Sequence, residues 1–198
     1  MNLNNEKKSI VLASASPRRK FLLESCGFHL NVMVSNIEEI PKAGETATAY
    51  VLRNAKEKGL SVSAALTNNE IVLSADTIVV TKNGAILEKP NDVEHAKKML
   101  TELSNNTHLV YTAYAVTQNG AELASRIVET QVTFRELSEE EIDSYIASGE
   151  PFDKAGSYGI QGAAMSFVES LTGSYTNVIG LPLSHVMKDL NTILNTNA

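Results

Sequence analysis

Asp76 closes an apolar run, I-V-L-S-A-D, and a carboxylate at the end of a buried strand can either cap the next turn or face a ligand. A second acidic pair, Glu38-Glu39, follows another apolar stretch. Adjacent loop acids are usually just solvated, yet one of them together with Asp76 would supply hard oxygen ligands suited to Mg²⁺. The cations that could meet an anion are Arg18 and Arg19 in L-A-S-A-S-P-R-R-K, Lys58 in N-A-K-E-K-G, Lys89 in L-E-K-P and Lys154 in D-K-A-G. S-P-R-R also reads as plain helix punctuation, with Ser16 as N-cap and Pro17 at the first helical position. Two cations there oppose the helix dipole, however, so an anion at this corner would stabilise it. Lys58 on a helix is by default a solvated residue; Lys89 stands at a loop boundary. Glycines 156, 159 and 162 recur every three residues around Tyr158 and Gln161. That spacing would let backbone approach a flat ring, with Gln161 donating and accepting at its polar edge. The residue chemistry suits a nucleotide or another phosphorylated small molecule.

Several chemistries are disfavoured. The glycine loop is neither G-x-G-x-x-G nor a Walker A sequence, and there is no G-x-S-x-G for a serine hydrolase. The histidines, 29, 95, 108 and 185, have no metal-ligand spacing. The lone Cys26 cannot form an internal disulfide; it fits a reducing compartment and reads as a helix core residue. A net charge of −6 argues against a general binder of nucleic acid or anionic membranes, which leaves S-P-R-R as a minor-groove element a weak alternative.

The elements that must position these residues are those of an ordinary globular chain. With 198 residues, 43% apolar and 20% charged, the expectation is one domain, 1–198, or one domain with two lobes. No apolar run approaches the roughly 20 residues of a membrane span, and the first eight residues lack the apolar core of a secretion signal, so a cytoplasmic protein is expected. Strands are expected at 9–14, 30–35, 70–75 continuing through T-I-V-V, 107–118, and from a turn at Asn119-Gly120 to about 137. Asn83-Gly84 marks a further hairpin. Helices are expected at 17–26, 46–66, 92–103 and 139–147, the last opened by the capping box Ser138–Glu141, with another at the C-terminal end. Strands mixed with helices, plus two hairpins, give an α/β protein with a mixed sheet.

The stretches L-A-S-A-S-P-R-R, S-A-D-T-I-V, L-E-K-P, S-G-E-P-F-D-K-A-G-S-Y-G-I-Q-G and N-V-I-G-L-P-L occur in an order that resembles the bacterial Maf family of septum-formation-inhibitor-like nucleotide pyrophosphatases. The resemblance runs from about Ile10 to Leu194. It implies an elongated α/β fold similar to inosine triphosphate pyrophosphatases, with a cleft between two lobes. It also implies hydrolysis of nucleoside triphosphates to monophosphate and pyrophosphate with a divalent metal, Mg²⁺ or Mn²⁺, and a homodimer. By motif, Ser14, Arg18 and Arg19 would grip the triphosphate, and Lys58 and Lys89 would contact the same phosphates. Asp76 would hold the metal, activate the attacking water, or both. Glu39 would be its acidic companion, with its neighbour Glu38 still open. Thr77 and Gln161 resemble the pair that marks the dTTP/UTP-preferring subgroup. The extra residue near Lys82-Asn83 falls in a hairpin turn away from these positions. The alternative is a non-enzymatic nucleotide-binding regulator of septum formation.

Overall fold

A computed structural model describes residues 8–196; most of the N-terminal segment read above as lacking a secretion signal lies outside them. Strands β1 (Ser9–Leu12), β2 (His29–Val32), β3 (Val72–Val80), β4 (Ile86–Leu87), β5 (Thr107–Gln118), β6 (Ala121–Phe134) and β7 (Val168–Thr172) form one sheet. Its order is β2-β1-β3-β5-β6-β7, with β4 also paired to β3. β1 runs parallel to β2 and β3, whereas β3, β5, β6 and β7 pair antiparallel, so the sheet is mixed as expected. Helices are α1 (Pro17–Glu24), α2 (Ala47–Ala65), α3 (Val93–Leu103), α4 (Glu139–Ala147), α5 (Tyr175–Ile179) and α6 (Leu183–Thr196).

The pleat divides the core. Leu73, Ala75 and Val79 of β3 face Leu100, Tyr114, Phe134 and Leu190 in the larger cluster. Val72, Ile78 and Val80 point to the opposite face, where Tyr50, Val51, Ala55 and Val62 of α2 cover them. The long α2 begins at Thr46, whose side chain accepts from the Ala49 N–H, and α1 begins at Ser16 with Pro17 inside it.

Four details differ from the sequence reading. Asp76 closes no strand and caps no turn: it is mid-strand in β3, where the expected continuation through T-I-V-V forms because Ile78, Val79 and Val80 bury on both faces and keep the ladder to β5 going. α1 stops at Glu24, and Cys26 is exposed beyond it rather than in the core. β2 ends at Val32: the Met33 N–H still donates to Leu12 O, and farther on the chain is held at Glu39, Ile40 and Glu45 by Tyr50 and Arg53 of α2 instead of by a neighbouring strand. The N-V-I-G corner forms the short helix α5, closed by Gly180 at φ 118°, a conformation that favours glycine.

Candidate active site

A gap along one edge of β3 creates the site. β1 pairs with that edge as far as Leu73, and β4 pairs with it again from Val79. The Leu73 carbonyl accepts from the Ala13 N–H, 2.8 Å, but the next carbonyl on this edge, Ala75 O, has no strand beside it. Arg19 Nη1 donates to it instead, 2.9 Å. A cleft of about 730 Å³ opens at the gap, lined by the β1–α1 corner, the middle of β3, residues 88–91, the glycine loop and the end of α5.

Asp76 and Thr77, being adjacent in a strand, point to opposite sides of the sheet. On the α2 side, Tyr50, Asn54 and Lys58 form a stripe at four-residue spacing, one face of the helix. Asn54 Nδ2 donates to Asp76 Oδ2, 3.0 Å, and Lys58 Nζ to Asp76 Oδ1, 2.8 Å. The same ammonium reaches Glu39 Oε2 at 2.7 Å, so Lys58 bridges the two acids. The Tyr50 hydroxyl lies 2.9 Å from Glu39 O and 2.8 Å from Glu88 Oε1, fixing the backbone of the acidic loop. Burial opposes ionisation of Asp76, but Lys58, Arg19 and Asn54 outweigh it and hold its carboxyl below the usual range. Burial, then Glu88, pushes the Tyr50 phenol up. Asn54 Oδ1, buried on the side chain that donates to Asp76, has no hydrogen-bond partner among the described residues.

On the other side, Arg19 is a fixed group rather than a free arm. Its Nε donates to Gly180 O (2.8 Å), Nη1 to Ser14 Oγ (2.9 Å) as well as to Ala75 O, and Nη2 to Thr77 Oγ1 (3.0 Å). Four of its five N–H groups are thereby used and one is left. Burial lowers its pKa, with Asp76 opposing; an arginine stays charged regardless. Arg18, one residue earlier, crosses the cleft to Asp153 Oδ2 at 3.1 Å. Lys154 holds Asp153 Oδ1 at 2.6 Å and also donates to Glu150 O. Lys89 and Gln161 line the cleft exposed, and neither makes a side-chain hydrogen bond among the described residues.

Every residue expected at the site therefore lies in or on this cleft: Ser14, Arg18, Arg19, Glu39, Lys58, Asp76, Thr77, Lys89 and Gln161. Glu38 is not among the lining residues, which separates the two neighbouring glutamates. The glycine loop packs closely on its neighbours, most rigidly at Gly156, whose φ is 68°. A Cβ on Gly156 would strike Val79 at 2.9 Å, one on Gly159 would strike the Lys154 chain at 2.6 Å, and one on Gly162 would collide with the Glu150 carboxylate. Tyr50, Asn54, Glu88 and Asp153 were not singled out from sequence. Tyr50 and Asn54 could have been found from their spacing to Lys58, and Glu88 and Asp153 stand beside Lys89 and Lys154 in the motifs already quoted.

Known proteins similar to this chain cover most of its length. A dTTP/UTP pyrophosphatase of Photorhabdus laumondii is 49% identical over 176 residues, 89% of either chain. One from Shewanella frigidimarina is 52% identical over 181 residues, covering 87% of this chain and 91% of that one. A solved HAM1 protein from Coxiella burnetii shares the fold, with a TM-score of 0.50 at 17% identity over 96% of this chain and all of its own. Residues 9–193 match the family described as Maf-like protein, and with relatives this similar over nearly nine-tenths of its length the chain belongs to the Maf family.

Proposed function

We propose that this protein hydrolyses nucleoside triphosphates, dTTP and UTP among them, to the monophosphate and pyrophosphate. The observation that carries the reading is Asp76: a buried carboxylate kept ionised by Lys58, in the middle of a cleft whose walls carry Arg18, Arg19, Lys89 and Lys154. Buried charge of this kind is costly unless a task requires it. The names of relatives at about half identity supply the substrate class. The match over residues 9–193 and the single sheet support reading the chain as one domain.

The cations would take the polyphosphate, their charge neutralising pyrophosphate as it leaves the α-phosphorus. Lys58 lies between Asp76 and Glu39, so a shift of its ammonium onto a phosphate oxygen frees both carboxylates. Asp76, ionised at neutral pH, then accepts a proton from the water attacking the α-phosphorus, and Glu39 orients that water from the other side. Catalysis is chiefly positioning and electrostatics.

The donor set fits a divalent cation. Asp76 and Glu39 bring hard oxygens to one place in the cleft, where Lys58 bridges them, although no three His, Cys, Asp or Glu side chains converge among the described residues. That suits Mg²⁺ or Mn²⁺ held by one or two carboxylates together with substrate phosphates. Such an ion, when bound, neutralises phosphate charge and polarises the P–O bond.

A panel of nucleoside triphosphates with Mg²⁺, separating pyrophosphate from orthophosphate, tests the reading. Pyrophosphate release fastest from dTTP and UTP is expected. Orthophosphate as product, or preference for 7-methyl-GTP, overturns it, and binding without turnover would mark a regulator instead. Among the described residues no helix is long and apolar enough to cross a membrane.

A further inference from the structure

Thr77 sits in a chain of hydroxyls whose proton directions can be worked out. The Asn177 carbonyl accepts the Gly180 N–H at 2.9 Å and lies 2.9 Å from Thr112 Oγ1. A carbonyl cannot donate, so the single proton of the fully buried Thr112 hydroxyl points at Asn177. Thr112 Oγ1 is also 2.9 Å from Thr77 Oγ1. With its own proton spent, Thr112 can only accept there, and Thr77 must be the donor. Thr77 in turn accepts from Arg19 Nη2. Its one proton is committed inward, so what it offers the cleft is a lone pair.

The far end of the chain is pinned. Asn177 is wholly buried, and its side-chain amide donates to Val110 O (3.0 Å) and Thr130 Oγ1 (3.1 Å), tying it to β5 and β6. The Thr112 acceptor therefore cannot swing away without uncovering buried polar groups, which is costly.

We propose that Thr112 is a positioning residue for specificity: through the Asn177 carbonyl it fixes Thr77 as an acceptor-only group, which meets an N–H of the substrate. A phosphate oxygen has no proton to give, so an acceptor-only Thr77 is unsuited to the polyphosphate and suited to the base. Uracil and thymine carry an imino N–H at N3, where cytosine carries a lone pair; the lock favours the first two and repels the third. The proposal rests on the pyrophosphatase reading above.

The test measures kcat/KM for UTP and CTP, by pyrophosphate release, in Thr112→Val, Thr112→Ala and Thr112→Ser. Removing the hydroxyl frees the Thr77 proton to turn outward and donate to the N3 of cytosine. The UTP:CTP ratio should then fall by about tenfold in Val and Ala, the worth of one neutral hydrogen bond, and Ser should restore it. In a Thr77→Val background, Thr112→Val should leave the ratio unchanged, since Thr112 acts only through Thr77. Ala leaves space where Val presses a methyl on the Asn177 carbonyl, so it serves if Val does not fold. Wild-type preference for UTP with an unaltered ratio in the folded variants overturns the lock and spares the pyrophosphatase reading. So does a further fall in the double variant. A wild type that releases pyrophosphate from UTP and CTP alike overturns the lock alone, whereas one that releases no pyrophosphate overturns that reading and the lock with it.

Discussion

Lys58 Nζ donates to Asp76 Oδ1 over 2.8 Å, and both side chains are almost wholly buried. Neither charge would be tolerated alone at that depth. The pair stores an ionised acid in the cleft, and its partner is a cation that a phosphate can draw away.

Asp76→Asn keeps the shape and removes the charge. An amide is a poor ligand for a hard cation and a far weaker base, so kcat should fall by roughly 10²–10⁴, while dTTP binding persists on Arg18, Lys58 and Lys89. Stability should fall as well, by about 1–3 kcal/mol, because Lys58 loses its buried counter-charge. Repulsion among Glu38, Glu39 and Asp76 alone would give the opposite sign, but Lys58 lies between Glu39 and Asp76 and reverses it. Thermal melts paired with pyrophosphate-release rates check both parts, and near-normal turnover would remove Asp76 from the chemistry.

Gln161→Glu addresses the base. Gln161 lines the cleft exposed and unbonded among the described residues, so the change should leave the melting temperature where it was. It replaces a group that donates and accepts with one that only accepts, facing the carbonyl oxygens of thymine or uracil. The loss should be about 2–3 kcal/mol, on the order of a hundredfold in kcat/KM for dTTP. A dTTP:ATP ratio equal to wild type would show that Gln161 does not touch the base.

Much of this arrangement was legible before any coordinates. The S-P-R-R corner, the long α2, the capping box at Ser138–Glu141 and the hairpin at Asn119-Gly120 each carry local signals, and all four form. Partnerships between segments were not legible. That Arg19 replaces a missing strand at Ala75 O depends on where β1 stops relative to β3, a matter of register rather than residue type. The glycines at 156, 159 and 162 have the look of a ligand loop, yet Gly156 is demanded by its φ of 68° and by Val79 packed against it, and the other two lie against the Lys154 and Glu150 side chains. Cys26 has the composition of a core residue and lies outside because α1 ends two residues earlier.

His108 gives the fold a specific acid sensitivity. It is buried against Phe134 and Tyr158, its Nε2 2.8 Å from the Tyr158 hydroxyl and its Nδ1 without a partner among the described residues. Burial pushes its pKa down to about 4 from an ordinary 6.5. As pH falls below about 6.5 the unfolded chain takes up the proton first, so stability is lost down to about pH 4, and above 6.5 the effect is absent. Between pH 7.5 and 5 the loss should be about 2 kcal/mol, or roughly 4–8 °C in Tm. His108→Gln should flatten that window. The held-down carboxyls of Glu45 and Glu141, at about 2, act only in stronger acid and leave it clear. Equal melting curves at pH 7.5 and 5 in the wild type would contradict this account.

The Arg18–Asp153 pair spans the cleft proposed above to take the polyphosphate. Asp153 is mostly exposed and shared between Arg18 and Lys154, so the pair adds little to the fold, about 1 kcal/mol or less. Its cost falls on binding instead: a phosphate must displace Asp153 to reach either cation, and the displaced carboxylate stays nearby as a like charge. Asp153→Asn keeps a side chain of the same size and removes the competing charge. KM for dTTP should drop by about two- to fivefold with kcat little changed, the pattern of an interaction lost equally from ground and transition states. The gain should shrink as salt is raised, because exposed charges are screened over about 8–10 Å at ordinary ionic strength. A KM that rises in Asp153→Asn would assign the carboxylate the opposite role, that of holding Arg18 and Lys154 in place for the substrate.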